Sequence, residues 1–447
     1  MSDDAVAIWR AGVCAVDAER LVRSVVHVDD GLLSIAGVAL PIVDIHRLAV
    51  VGAGKAGAGM AAGLEQALGP EIPCEKVTGW VNVPADCVRP LGRIHLHAAR
   101  PAGVNEPTPD GVAGAEQILQ IVSDLEPADV CVVLLSGGGS ALLPAPALGV
   151  TLDDKQRITR LLMQAGARID ELNCVRKHLS RIKGGRLARA CRAGQLITLV
   201  ISDVIGDPLD VIASGPTVED PTTAADALQV LRKYAARMPL LPPNVTPFLE
   251  QAAHGEASVP GPGVEPVPKV SHAVIGNIDV ALRAAGEEAR RRGYPVHSLG
   301  GRNAGVAREV GAALAEQCLA ARSSGDVPRC LLSGGEPIVE LTVTDRPRSG
   351  GRNQELVLAA ADRLWNEDPA GIVILSGGTD GEDGPTDAAG AWIDAAVLNR
   401  ARRRGIHPAD DLAFNNSYAF FAQAGGHLKT GPTHTNVMDL RVCLVKP

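Results

Sequence analysis

Short apolar runs that break on glycine, aspartate or proline and then give way to helix-like stretches are the strongest constraint in this chain. RLAVV (47–51), VTGWVNV (77–83), VCVVLL (130–135) and LITLVI (196–201) all behave this way. Runs of this length with amphipathic stretches between them predict βαβ units and a mostly parallel sheet. In such sheets ligands gather beyond the carboxyl ends of the strands. The residues just after each run are therefore the first candidates for function. The rhythm pauses at VPGPGVEPVPK (259–269), which reads as a linker. It resumes with HAVIGN (272–277), CLLSGGEP (330–337), the polar-alternating IVELTV (338–343), IVILSGG (372–378) and LRVCLV (440–445). The expected organisation is an α/β domain with a mostly parallel sheet over 1–258, a linker over 259–269, and a smaller α/β domain with a mixed sheet over 270–447.

At 447 residues, 46% of them hydrophobic, the chain can bury two separate cores. A net charge of -8 argues against nucleic acid or an anionic membrane as partner. No apolar run approaches the roughly 20 residues of a membrane span, and the acidic start MSDDAVAIWR is unlike a signal peptide, so a cytoplasmic protein is expected. The nine cysteines show neither CxxC nor zinc-type spacing and read as reduced, buried small hydrophobes. With aromatics at 2%, recognition should lean on backbone amides, arginine and aspartate. Only 9 of the 43 basic residues are lysine, which makes a lysine in an unusual place informative.

One such lysine lies in VVGAGKAGAGMAAG (50–63), where Gly52, Gly54 and Gly57 satisfy G-x-G-x-x-G between a strand and a helix. A dinucleotide site would need an acid at the end of the next strand, which instead closes on Val83-Pro84. A Walker loop would need Ser or Thr after the lysine, where Ala56 stands. What remains is Lys55 among backbone amides at a helix start, either an anion site or a tight turn with its lysine turned to water. Ser136-Gly137-Gly138-Gly139-Ser140 follows a second strand. Three consecutive glycines exceed what a turn needs and suit a nest of amides for phosphate. The same ending returns as Ser333-Gly334-Gly335-Glu336 and Ser376-Gly377-Gly378.

Arg352, in SGGRNQELVLAAA (349–361), stands at a helix mouth with Asn353 as candidate N-cap. An arginine there opposes the helix dipole, so an anion is its expected partner. Two acidic loops follow strands, one with Asp203 and Asp207 and the other with Asp380, Glu382 and Asp383. Mg²⁺ takes one or two carboxylates beside phosphate oxygens. Asp203 and Asp207 are the first candidates, with Asp380 near the nucleotide; Asp-Pro and Asp-Gly turns are the structural alternative. In NCVRKHLSRIKGGR (173–186), Val175, Leu179 and Ile182 share a helical face and Gly184 reads as its stop. Arg176, Lys177, Arg181 and Lys183 are then either a solvated face or a seat for a substrate anion.

GAGKAG, LSGGGSALL, NCVRKHLSRIKGGRLA, SDVIGDPLDVIASGPT, LSGGEP, GGRNQELVLAAA, LSGGTDGEDGPTDAAGA and GPTHTNVMDL, in this order, resemble the glycerate 2-kinase family, the class II glycerate kinases with a MOFRL-type C-terminal domain. The resemblance runs from about residue 45 to the end. It implies a larger Rossmann-like, three-layer domain and a smaller one, with ATP and D-glycerate in the cleft between them. It also implies that Lys55 and Arg352 carry catalysis, and that Mg²⁺ accompanies ATP. The implied reaction is attack of the 2-hydroxyl of D-glycerate on the γ-phosphate. Gly52, Gly54, the 136–140 loop, Asp203, Gly334, Gly335, Glu336 and Asp380 would line the nucleotide. Two positions depart from the family pattern: Glu106 stands where relatives often carry histidine, and His434 where a second glycine is expected. Because relatives often carry the label hydroxypyruvate reductase, an NAD(P)H-dependent reductase is the rival enzyme, and a non-catalytic binder of phosphorylated metabolites the third reading. The partners expected are small molecules, with a homodimer left open.

Overall fold

The computed structural model describes residues 1–238, 240–255, 268–323, 325 and 327–447. Most of the expected linker, 259–267, lies outside the described residues. The chain divides into two compact units, each assembled from separate stretches. One comprises Ala18–Ser202 and Asp207–Ile275; the other comprises Met1–Asp17, Asp203–Gly206 and Gly276–Pro447. These compact units differ from the division expected from sequence, 1–258 against 270–447, in that Met1–Asp17 and Asp203–Gly206 group with the later stretch and residues up to Ile275 with the earlier one.

The first unit opens with an antiparallel sheet of β1 (Val26–Asp29), β2 (Leu32–Ile35) and β3 (Val38–Pro41). Its main sheet contains β4 (Leu48–Ala53), β5 (Val77–Pro84), β6 (Ile94–Arg100), β7 (Val130–Leu135), β8 (Gln195–Ile201) and β9 (Lys269–Gly276). Their order is β6-β5-β4-β7-β8-β9, with parallel pairing from β6 through β8. Every residue of β4 and β7 is buried, as expected for strands covered on both faces, which read as unbroken apolar runs. The chain winds outward from β4 to β5 and β6, then returns to β7 on the other side of β4. β4 and β7 thus flank the switch point of the sheet, where α/β folds place their ligands. HAVIGN, expected to open the second domain, instead supplies most of β9 at the edge of this first sheet beside β8.

In the second unit β10 (Val296–Ser298), β11 (Arg329–Gly335), β12 (Ile372–Gly378), β13 (Gly390–Ile393), β14 (His427–Leu428) and β15 (Asp439–Val445) form a mixed sheet. The order is β10-β11-β15-β12-β13-β14, and β15 runs antiparallel to both neighbours. IVELTV does not form the expected strand. Beyond one bridge at Ile338 it has no ladder, and Ile338, Leu341 and Val343 are exposed. Asn415 takes the place of a ladder partner on one edge, accepting from Thr342 N (2.8 Å) and donating to Glu340 O (3.1 Å).

The helix Ser2–Ala15 packs on the helix Ile278–Arg291 and on β15. A Cβ on Gly12 would lie 3.0 Å from Ala281 O, so small residues let the two helices approach. Trp9, 1% exposed, donates from Nε1 to Gly377 O at 3.2 Å. Trp9→Ala is expected to destabilise this unit by about 3–5 kcal/mol, read as a lower urea midpoint. Seven of the nine cysteines are buried as expected, whereas Cys14 and Cys74 are exposed, and all nine are free thiols. Among the described residues no helix is long and apolar enough to cross a membrane.

Candidate active site

The loops after β4 and β7 lie together at the switch point. Lys55 N donates to Gly137 O (2.9 Å), and Ala56 N donates to Ser136 Oγ (3.0 Å). Gly54, at φ +151°, faces Ser136, where an added Cβ would come within 2.8 Å of the Ser136 carbonyl oxygen and collide with its hydroxyl. Gly52 lies as tightly on Leu134, whose carbonyl carbon is 2.9 Å from a Cβ there. These two glycines serve the approach of one loop to the other, a requirement that a ligand-centred reading of G-x-G-x-x-G overlooks. Gly54→Ala is expected to cost more than about 3 kcal/mol, since neither backbone can yield without opening the β4–β7 junction; a thermal melt checks this. Gly138, at φ +77°, is the member of the triplet that faces charge. A Cβ there would sit 3.2 Å from Arg100 Nη2 and 3.6 Å from Lys55 Cγ. Arg100 is 4% exposed and is fixed by Asn105 Oδ1 (2.9 Å). Two cations therefore border the Ser136–Ser140 loop, which sets a local positive field in an acidic chain.

The basic segment deepens that field. Its helix, Ile169–His178, ends before Leu179, and Gly184 is not its stop. Gly184 N and Gly185 N instead donate to Ser214 O (3.0 Å) and Gly215 O (2.7 Å). The expected solvated face is absent: Lys177 and Lys183 are buried, and Arg176 and Arg181 are partly buried. Lys183 Nζ donates to Ser140 O (2.7 Å) and Ser140 Oγ (2.8 Å), and Arg176 Nη2 donates to the same Oγ (2.8 Å). Ser140 Oγ also shares a hydrogen bond with Ser214 Oγ (2.9 Å). Ala213 and Ser214 are held at φ +50° and +63°, local strain of the kind that collects at ligand sites.

Lys155 donates to Leu179 O (2.9 Å) within this cluster. Burial, with Arg176 and Arg186 adding to it, pushes Lys155 down to about 7. In the unfolded chain the same group holds its proton to about 10.5. Between those values the unfolded state binds more protons, so the free protein should gain stability as pH rises from about 7 towards 10.5. Urea midpoints at pH 7 and pH 9 should diverge less in Lys155→Met than in the parent.

In the second unit the two Ser-Gly-Gly endings lie side by side because β15 pairs with both strands. Asp439 stands opposite Gly335 on one side and Gly378 on the other. Its carboxylate, fully buried, accepts from Arg352 Nε (2.7 Å), Arg352 Nη2 (3.1 Å) and Asn353 Nδ2 (3.0 Å). Glu336 accepts from Arg352 Nη1 (2.7 Å). Burial opposes the charge on Arg352, but Asp439 and Glu336 outweigh it and raise the arginine further. Arg352 is thus paired by two carboxylates inside its own unit, a neutralisation that the lone-arginine reading of the helix mouth did not anticipate. Asn353 is not the N-cap of the helix Arg352–Arg363. Gly351 occupies that position, and Asp383 from the β12 loop accepts from Asn353 N (2.9 Å) and Gln354 N (2.8 Å). Asp383 is therefore structural. Burial, with Asp439 adding to it, pushes it up to about 7, against the backbone donors that hold its charge.

Of the remaining acids, Asp203 accepts from Asn436 Nδ2 (3.1 Å), and Asp380 accepts from Glu382 N (3.1 Å) within a turn. Asp207 has a positive φ of 55° and belongs to the other unit from Asp203. Among the described residues no group of three or more His, Cys, Asp or Glu side chains is arranged to hold a metal ion. Glu106 is exposed. His434 takes φ +57°, the left-handed region that accounts for a glycine expectation there.

Sequence reasoning missed Asp439, Arg100 and Ser214, and left the fate of Lys183 and Arg176 open. Asp439 had one signal, an acid placed directly at the head of the apolar run LRVCLV.

Residues 4–250 match a family described as a domain of unknown function, DUF4147, and residues 329–439 match the MOFRL family. A glycerate kinase of Homo sapiens is 38% identical over 459 residues, covering 90% of this chain and 85% of its own. An Agrobacterium vitis protein bearing the provisional name hydroxypyruvate reductase is 41% identical over 410 residues, covering 89% and 87%. The crystal structure of a Thermotoga maritima glycerate kinase superposes with a TM-score of 0.83 at 34% identity, over 99% of both chains. The chain belongs to the glycerate kinase family, in which a DUF4147 domain is joined to a MOFRL domain.

Proposed function

We propose that this protein transfers the γ-phosphoryl group of ATP to the 2-hydroxyl of D-glycerate, giving 2-phosphoglycerate. The observation that carries the reading is the Ser136–Ser140 loop, placed at the switch point of a parallel sheet and bordered by Lys55 and Arg100. Phosphoryl transfer asks a protein for positioning and for charge neutralisation, with little covalent chemistry of its own. Lys55 and Arg352 are the catalytic pair in this reading, neutralising the group in transfer. Gly52 and Gly54 shape the first loop, Gly137, Gly138 and Gly139 offer amides, and Asp380, Gly334, Gly335 and Glu336 border the nucleotide. Mg²⁺ suits hard oxygen donors, and Asp203 and Asp207 would supply the one or two carboxylates it takes beside phosphate. Bound there, the ion would neutralise phosphate charge.

The name of the Agrobacterium relative raises a reductase as the alternative. Against it, β5 ends in Val83-Pro84 with no carboxylate for a ribose, and the Asn82 side chain just before it is buried and donates to Leu142 O (2.8 Å). The test is phosphorus NMR of protein with Mg·ATP and D-glycerate, beside NADH absorbance with hydroxypyruvate. A 2-phosphoglycerate signal without NADH loss is expected; NADH loss without phosphorylated product would replace the kinase with the reductase.

A further inference from the structure

Two cations from the basic segment converge on a single neutral oxygen, Ser140 Oγ, with Lys183 Nζ and Arg176 Nη2 each at 2.8 Å. Lys183 is 3% exposed and Lys155 8%. Among the described residues, the charges that act on Lys183 are those of Arg176 and Lys155, and those that act on Lys155 are Arg176 and Arg186, with no carboxylate among them. The acids of the neighbourhood are used elsewhere: Lys177 lies 3.4 Å from Asp220 and 3.6 Å from Asp210, and His178 lies 3.6 Å from Asp220. Buried cations without counter-ions are costly, and a serine hydroxyl does not repay that cost. An anion entering from outside would.

The chemistry of the anion follows from where the cluster sits. Ser140 closes the loop to which Lys55 is tied by its backbone. In a 2-hydroxy acid the carboxylate and the reacting oxygen are on adjacent carbons, so a seat for the carboxylate has to lie on the loop that holds the phosphoryl group. We propose, on the basis of the kinase reading above, that Arg176 and Lys183 gathered at Ser140 bind the carboxylate of the acceptor and thereby present its 2-hydroxyl, not a more distant one, for transfer. Ser214 Oγ, 2.9 Å from Ser140 Oγ, orients the shared hydroxyl. Burial first, then Arg176 and Lys155, hold Lys183 well below its ordinary range, and a carboxylate bound beside it would favour its charged form.

Lys183→Met should raise KM for glycerate about 100-fold, the loss of one charge-assisted hydrogen bond, and leave KM for ATP within about twofold, whereas Lys183→Arg, which keeps a charged donor, should recover most of the loss. Lys183→Met should also let 3-phosphoglycerate appear in the phosphorus spectrum. An unchanged glycerate KM in a folded Lys183→Met would overturn the seat and leave the kinase reading standing. If Lys183→Met does not fold, the glycerate KM of Arg176→Gln decides in the same way. Glycerate binding by calorimetry that is weakened in these variants, with no phosphorylated product from the parent, would keep the seat and remove the kinase reading.

Discussion

Lys55→Ala is expected to fold as the parent does and to lose about 10³-fold or more in kcat for phosphoryl transfer. The loop keeps its shape without the side chain, because Lys55 is anchored by its backbone N–H on Gly137 O and the next residue by Ser136 Oγ. The aliphatic stem lies against Gly138 and is only half-buried, so trimming it opens no large cavity. A melting temperature within a degree or two of the parent, beside turnover near the detection limit, is the expected pair of readings. Activity above a tenth of the parent's would remove Lys55 from the chemistry.

Arg352→Ala should behave differently, losing both turnover and stability. Asp439 is fully buried, and among the described residues its charge keeps, without the guanidinium, the Asn353 amide as its side-chain donor. Breaking one partner out of a buried pair costs about 3–5 kcal/mol, most of it the penalty for the charge left behind. Replacing both, as Arg352→Ala with Asp439→Asn, should recover the greater part of that stability and none of the turnover. Urea denaturation of the four proteins in this cycle gives the coupling directly. A coupling below about 1 kcal/mol would mean that Asp439 does not depend on Arg352 for its burial.

Much of this layout was legible in the residues. RLAVV, VTGWVNV, VCVVLL and LITLVI fall within β4, β5, β7 and β8 apart from Arg47, and CLLSGG, IVILSGG and LRVCLV within β11, β12 and β15. Strands covered on both faces announce themselves as unbroken apolar runs. Pairing is a long-range property, so nothing in LSGGEP or LSGGTD indicates that one aspartate, Asp439, separates them. The basic segment stayed open between a solvated face and an anion seat for a related reason. A helical face free of apolar residues looks solvated until another element covers it, and here Arg176 and Lys183 close on Ser140 instead. IVELTV alternates like a strand, yet Asn415 satisfies part of its backbone locally and Ile338, Leu341 and Val343 stay outside. Domain limits were drawn at the proline-rich stretch, which gives no sign that β9 belongs with what precedes it or that Trp9 belongs with β12.

The helix Ser2–Ala15 has a consequence for biosynthesis. Its partners, from Gly276 onward, leave the ribosome only after some two hundred and fifty further residues, a delay on the order of ten seconds or more at ordinary elongation rates. Throughout that interval the helix and strands against which Trp9 and its helix pack have not been made. The second unit therefore completes itself only when this early helix is joined by elements synthesised much later.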